Sequence, residues 1–429
     1  MKKFSVGKCL DTIKCLNEKV TLLGIGPLSK TIVEASIESA LENDFPVFFI
    51  ASRNQIDNEC GYVESWDQYA FNSYVEGYLQ DINYKGLVYN CRDHGGPWQK
   101  DEEYAQKISH ELSLDNCFNS FFCDIDAGFD LLHIDTSKDP NYKVVPHKLA
   151  VERIVEIVTA IEEYKTKNSV KEIPYEVSLE ETNGECSAIE DFNEFVGLLI
   201  KSIDERRLPR PAFMVGNTGT LTRMGKNVGK FNPEIVCELK NITDNYGLIL
   251  KEHNTDYLDT SDLLLHPELG IGMANVAPEF GNLETEALME LYKLEEQHIK
   301  DNELSGLDKS NIIPLIYSEI KKSNKWKKWL DNKSFNVDLN TDTEFLELII
   351  SINGHYFYNN NEIVKARGIL YENIKNLCIN SDPHKYVKDY IKKGIQRYVD
   401  AFNLKGLTSK LYEYEKFEGK RSGFTTVQL

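Results

Sequence analysis

The chain has 429 residues, 41 % of them hydrophobic, and a formal charge of -19. That is enough apolar material for a large α/β unit plus an extension. The charge argues against nucleic acid or an anionic membrane as a partner. Nine cysteines lack any CxxC pair, which speaks against a zinc knuckle and for reduced thiols. The N-terminal MKKFSVGKCLDTIKCL has no long apolar core and no small-residue cleavage site, and no stretch is long enough to span a bilayer. The expected location is cytoplasmic.

Short apolar runs bounded by polar residues or glycine predict strands. In chain order they are TLLGIG (21–26), VFFIAS (47–52), LVYNCRD (87–93), LLHIDTS (131–137), PYEVSLEE (174–181), AFMVGNT (212–218), LILKEHN (248–254) and IGMANVA (271–277). Amphipathic helices are predicted between them, at 29–43, 146–165, 189–204, 232–244 and 282–300. Eight strands alternating with helices over residues 1–300 imply a (β/α)8 TIM barrel. A doubly wound sheet would need a glycine-rich phosphate turn, and GIGPLSK lacks the third glycine. Residues 301–429 read as a helical C-terminal extension. No internal repeat is visible.

Barrel chemistry sits at the C-terminal ends of the strands. The second strand ends in Arg53, Asn54 and Gln55, and the third in Arg92, Asp93 and His94. The fourth brings Asp135. The fifth carries Glu176, Ser178 and Glu180 on one face. Asn217 follows the sixth, Glu252, His253 and Asp256 follow the seventh, and Asn275 lies on the eighth. His94, His253 and Glu180 make a His/His/acid set for a divalent ion, zinc first, with manganese or cobalt as alternatives. Such an ion polarises a carbonyl. Asp93, and with it Glu180, is placed for proton transfer. Because Asp93 and His94 are adjacent, they are expected to point differently. Arg53 and Arg92 could grip a carboxylate or phosphate, or simply neutralise nearby acids. Asn54, Gln55, Asp135, Glu176, Asn217, Glu252, Asp256 and Asn275 complete the expected substrate contacts. His133, inside an apolar run, reads as structural, and His266 as a turn cap.

The motifs NQIDNECGY, RDHGGPW, HIDTS, the Glu180 strand and EHNTDYL, in that order, resemble the non-catalytic subunit family of tagatose-bisphosphate aldolase. That family is also described as tagatose-6-phosphate kinase-like and has relatives among ketose 4-epimerases. GNTGTLTRMGKNVGKFNPEIV is similar to the sixth-strand region of class II zinc aldolases. The resemblance implies Asp93 as acid/base, His94 and His253 on zinc, Asn275 on the eighth strand and Glu180 on the fifth. Two departures stand out. Gly219 occupies the place of a third zinc histidine, and Asn254-Thr255-Asp256-Tyr257 replaces a Gly-Gly-Ser phosphate loop.

Three readings follow. The first is a metal-dependent carbohydrate enzyme that epimerises or cleaves a ketose, ketose phosphate or related acidic sugar. The second is a non-catalytic partner that stabilises a class II tagatose-bisphosphate aldolase. The third, a sugar kinase, lacks any GxxxxGK[ST] loop. A homo-oligomer is compatible with the first two.

Overall fold

A computed structural model describes residues 4–178, 186–304, 306–323, 326–327 and 343–425. Eight parallel strands close into a barrel. They are β1 (Leu22–Ile25), β2 (Val47–Ser52), β3 (Val88–Gly95), β4 (Leu131–Asp135), β5 (Tyr175–Ser178), β6 (Phe213–Val215), β7 (Ile249–Glu252) and β8 (Met273–Val276). Seven fall within the predicted runs, and β3 extends two residues past LVYNCRD to take in His94 and Gly95. β1 pairs with β8 in the register Leu22↔Met273, which seals the barrel. Both faces of these strands are covered, so they read as continuous apolar runs rather than alternating ones. Helices follow the strands, and the Lys30–Asn43 helix starts on a Ser29 side chain that accepts the Ile32 N–H.

The helix Val6–Leu16 lies across the N-terminal end of the barrel, where the Cys9 thiol meets Tyr89. Among the described residues five further α-helices run from Ile312–Ser323 to Leu407–Thr425. They pack back onto the barrel's own helices. Pro383–Ala401 lies against Lys30–Asn43 and Pro278–Asp301, and Phe4 meets Tyr412 with ring centroids 4.7 Å apart. All nine cysteines are free. No helix among the described residues is long and apolar enough to cross a membrane.

One irregularity positions the site. The β3–β4 register shifts between Arg92 and Gly95, and His94 adopts a left-handed φ of 43°. A strand without a bulge sends successive side chains to opposite faces. Here the bulge turns both Asp93 and His94 to the mouth, correcting the expectation that they diverge. The following Gly96 is obligatory, because a Cβ there would stand 1.9 Å from the Asp135 carbonyl oxygen.

Candidate metal centre

Strand parity decides which side chains look inward. On β4, His133 and Asp135 share the inner face. On β5 Glu176 and Ser178 do so, and Lys251 and then His253 come from β7 and its exit. Asp93, His133, Glu176 and His253 each contribute one donor atom to a group lying within 4.8 Å of one another. The separations are 3.3 Å from His133 Nδ1 to Asp93 Oδ1 and 3.7 Å from His133 Nδ1 to Glu176 Oε1. From His253 Nε2 they are 2.9 Å to Glu176 Oε1 and 3.9 Å to Asp93 Oδ1. Tetrahedral ligands at zinc bonding distance stand roughly 3.3–3.6 Å apart. The four donors scatter about this spacing and are of a chemical type that could hold a divalent ion.

Outer contacts orient each ligand. His133 Nε2 pairs with Ser178 Oγ at 2.8 Å, and its Nδ1 accepts the His94 N–H at 3.0 Å, a bond that an ion on Nδ1 would displace. Lys251 Nζ donates to Glu176 Oε2 at 2.5 Å, leaving Oε1 toward His253. Asn275 Nδ2 lies 3.4 Å from Asp93 Oδ1. Gly24 makes room for it, since a Cβ at Gly24 would fall 2.3 Å from Asn275 Oδ1.

His94 stands at the rim with its side chain 38 % exposed. Its Nδ1 is 2.6 Å from Asp135 Oδ2, and its Nε2 is 3.7 Å from Asp93 Oδ2. Its ring centroid is 5.1 Å from that of His253 and 5.2 Å from that of His133.

The charges reinforce one another. Burial alone would raise the Asp93 carboxyl, but His94, His133 and His253 outweigh it and hold it well below the usual range. Burial also opposes ionisation of Glu176, yet Lys251, His133 and His253 hold it at about 2. Burial disfavours the charged His94 ring, but Asp93 and Asp135 carry it up to about 9. His253 moves down, chiefly because it is buried.

The remaining expected contacts lie elsewhere. Arg92 is on the outer parity of β3, fully buried, with Nη2 2.5 Å from Asp124 Oδ1 and Nη1 on the carbonyls of Ala51 and Ile56. Arg53 bonds Asp57 and Glu103 beneath the surface. Neither guanidinium faces the mouth. Asn54 bridges the Gln99 carbonyl and the Asp101 N–H, and Gln55 accepts the Ser52 N–H. Asn217 accepts weakly from the Gly219 N–H.

Glu252 points out of the barrel, where it meets His266 at 2.8 Å, Thr218 at 2.5 Å and Thr255 at 2.7 Å. His266 therefore pins the Thr260–Leu269 helix to β7 rather than merely capping a turn. Asp256 accepts the N–H groups of Ala277 and Glu279, capping the helix after β8. Glu180 lies outside the described residues.

His133 is the residue that the sequence reading set aside. Its signal was present, because a residue two before an inward Asp135 shares its face. Glu176, expected as a substrate contact, lies within the four-donor group.

No family model and no curated protein matches the chain. Solved structures do. The crystal structure of a probable tagatose 6 phosphate kinase from Sinorhizobium meliloti 1021 is 16 % identical, with a TM-score of 0.72 over 89 % of this chain and 100 % of that one. A fructose-bisphosphate aldolase from Campylobacter jejuni is 11 % identical, with a TM-score of 0.50 over 93 % of this chain and 95 % of that one. At such identities the likeness establishes the fold. These neighbours come from the same group of barrels that the motifs resemble.

Proposed function

We propose that this chain is a metal-dependent carbohydrate enzyme of the class II aldolase type, cleaving or epimerising a ketose, ketose phosphate or related acidic sugar. The observation that carries the reading is the four-donor group of Asp93, His133, Glu176 and His253. These residues would hold a divalent ion, zinc by the donor set, which when bound would polarise a ketose carbonyl. Lys251 keeps Glu176 ionised and fixes which of its oxygens faces His253. The His94 N–H donates to His133 Nδ1, so that nitrogen carries no proton, and an ion bound there would take the place of this N–H.

His94 and Asp135 form a second unit at the rim. Asp135 holds the imidazole through Nδ1, so Nε2 is the atom that exchanges a proton with a substrate hydroxyl. Asn275 steadies Asp93 through Nδ2, and its buried Oδ1, beside Gly24, has no hydrogen-bond partner. In this reading Asp93 and His94 exchange the roles that the resemblance implies: the carboxylate is a ligand and the imidazole moves the proton.

The test is metal content measured beside turnover. Wild type, purified with zinc, should hold close to one ion per chain, and His133→Ala and His253→Ala should lose it. His94→Ala should keep the ion and lose turnover of ketose phosphates and uronates. Loss of the ion from His94→Ala would instead restore His94 as a ligand.

A further inference from the structure

With Arg53 and Arg92 committed to internal carboxylates, no arginine on the expected list is left to receive an anionic substrate group. The loop after β6 supplies another. It folds into a hairpin in which Thr222 pairs with Asn227 and Arg223 with Lys226. The hairpin is fastened over the end of β7: Thr220 Oγ1 donates to the His253 carbonyl, and Asn227 Nδ2 donates to those of Asn254 and Asp256. Its tip reaches the C-terminal helices, since a Cβ at Gly225 would touch Ile352 and Leu348 and come within 3.7 Å of Asn282 Nδ2.

Two observations converge on this hairpin. Arg223 and Lys226 are cross-strand partners, so their side chains share one face. Like charges placed directly opposite are unfavourable unless something anionic lies between them. Yet among the described residues neither has a carboxylate within 4.0 Å, and the only hydrogen bond of the Arg223 guanidinium is to the Thr222 carbonyl. In a chain of formal charge -19 such a pair is conspicuous. Burial, with nothing to offset it, moves the half-buried Arg223 below its ordinary value.

The second observation is polar. Asn282, within 3.7 Å of a Cβ at the hairpin tip and only 6 % exposed, has no hydrogen-bond partner for Oδ1, and neither has Nδ2 of Asn254, whose carbonyl accepts from the hairpin's Asn227. Unsatisfied buried polar atoms are costly and rare, and two on residues that meet one hairpin fit a site for a hydroxylated ligand.

We propose that Arg223 and Lys226 form an anion clamp at the β7–β8 side of the mouth, taking the carboxylate or phosphate of an open-chain acidic sugar. This rests on the proposed function and narrows its substrate class: the anion binds the hairpin while the carbonyl end lies toward the four donors. Arg223 supplies the planar fork that suits both anions, and Lys226 supplies a second charge.

Three open-chain probes share one carbon skeleton and differ at the end: gluconate bears a carboxylate, glucitol 6-phosphate a phosphate, and glucitol neither. Calorimetric titration of the full chain should show at least one anion binding about tenfold or more tighter than glucitol, with sodium chloride weakening only the anion. Which anion binds identifies the group. Arg223→Gln should bring that anion close to the glucitol level and leave glucitol unchanged, Lys226→Gln should have a smaller effect, and Arg223→Lys should fall between. Thermal unfolding of each variant checks that it folds.

Anion binding by Arg223→Gln equal to wild type overturns the proposal, as does a wild type with no preference for either anion. Metal content separates the two readings. An Arg223-dependent anion preference in a protein that binds no ion keeps the clamp and removes the enzyme. A metal-loaded protein indifferent to Arg223→Gln does the reverse.

Discussion

Lys251 Nζ lies 2.5 Å from Glu176 Oε2, and both side chains are sealed inside the barrel beneath the candidate metal centre. The same ammonium nitrogen stands over the Phe213 ring, 5.9 Å from its centroid. A buried carboxylate stripped of its counter-charge is strongly destabilising, whereas removing both charges together is much less so. Lys251→Met should therefore cost on the order of 3–5 kcal/mol in urea unfolding. The double variant Lys251→Met/Glu176→Gln should recover a large part of that loss. A Lys251→Met protein as stable as wild type would mean that His133 and His253 balance Glu176 without help.

Gly24 is the gap into which Asn275 fits. Gly24→Ala would put a methyl group 2.3 Å from Asn275 Oδ1, 3.0 Å from Met273 Cε and 3.1 Å from Ile50 Cγ2. Overpacking of this kind costs about 1–3 kcal/mol. Because Asn275 is the atom group that must yield, turnover should fall more than metal content does. Equal turnover in the variant would show that the Asn275 contact to Asp93 is dispensable.

The barrel was legible because all eight strands are buried on both faces and so announce themselves as unbroken apolar runs. The site was only partly legible. Period-two reasoning placed Glu176 and Ser178 on one face, and the same reasoning applied to HIDTS places His133 with Asp135. The β3 bulge was invisible, because nothing in RDHGG states that two adjacent side chains share a face. Arg53 and Arg92 misled for a different reason. A strand-end arginine looks alike whether it meets solvent or a carboxylate from a distant helix, and Asp124 lies 32 residues from Arg92. EHNTDYL divides residue by residue: His253 enters the donor group, while Glu252, Thr255 and Asp256 fasten neighbouring elements.

Asp256 should make stability depend on pH. Burial, and then the nearby Glu279, raise its carboxyl to about 7. An acid whose folded pKa is raised keeps its proton in the folded chain after the unfolded chain has lost it. Its contribution is fully present below the unfolded value near 3.9 and is lost as pH rises through about 7. Asp256→Asn retains an oxygen for the Ala277 and Glu279 N–H groups and carries no titrating proton. Relative to wild type, it should be near neutral at pH 4 and stabilising at pH 8, by on the order of 2–4 kcal/mol. Urea unfolding at the two pH values measures this, and a difference that does not grow with pH removes the assignment.

Metal binding should appear in stability independently of catalysis. An ion that binds only the folded chain stabilises it by about 2.7 kcal/mol at a hundredfold excess over its dissociation constant. Zinc should therefore raise the unfolding midpoint of the chelator-treated wild type, and His133→Ala should abolish that rise. Glu252→Gln is the discriminating control. Glu252 immediately precedes His253 in the chain but faces His266 on the other side of the barrel wall, with both side chains 0 % exposed. Breaking that pair should lower the baseline midpoint and leave the zinc-induced rise intact. A variant that lost both would show that the cluster responds to general loosening of β7 rather than to its own donors. If zinc, manganese and cobalt all leave the wild-type midpoint unmoved, Asp93, His133, Glu176 and His253 form a closed hydrogen-bonded network. The reading as a partner subunit of a class II aldolase then takes precedence, because a partner needs the barrel but not the ion.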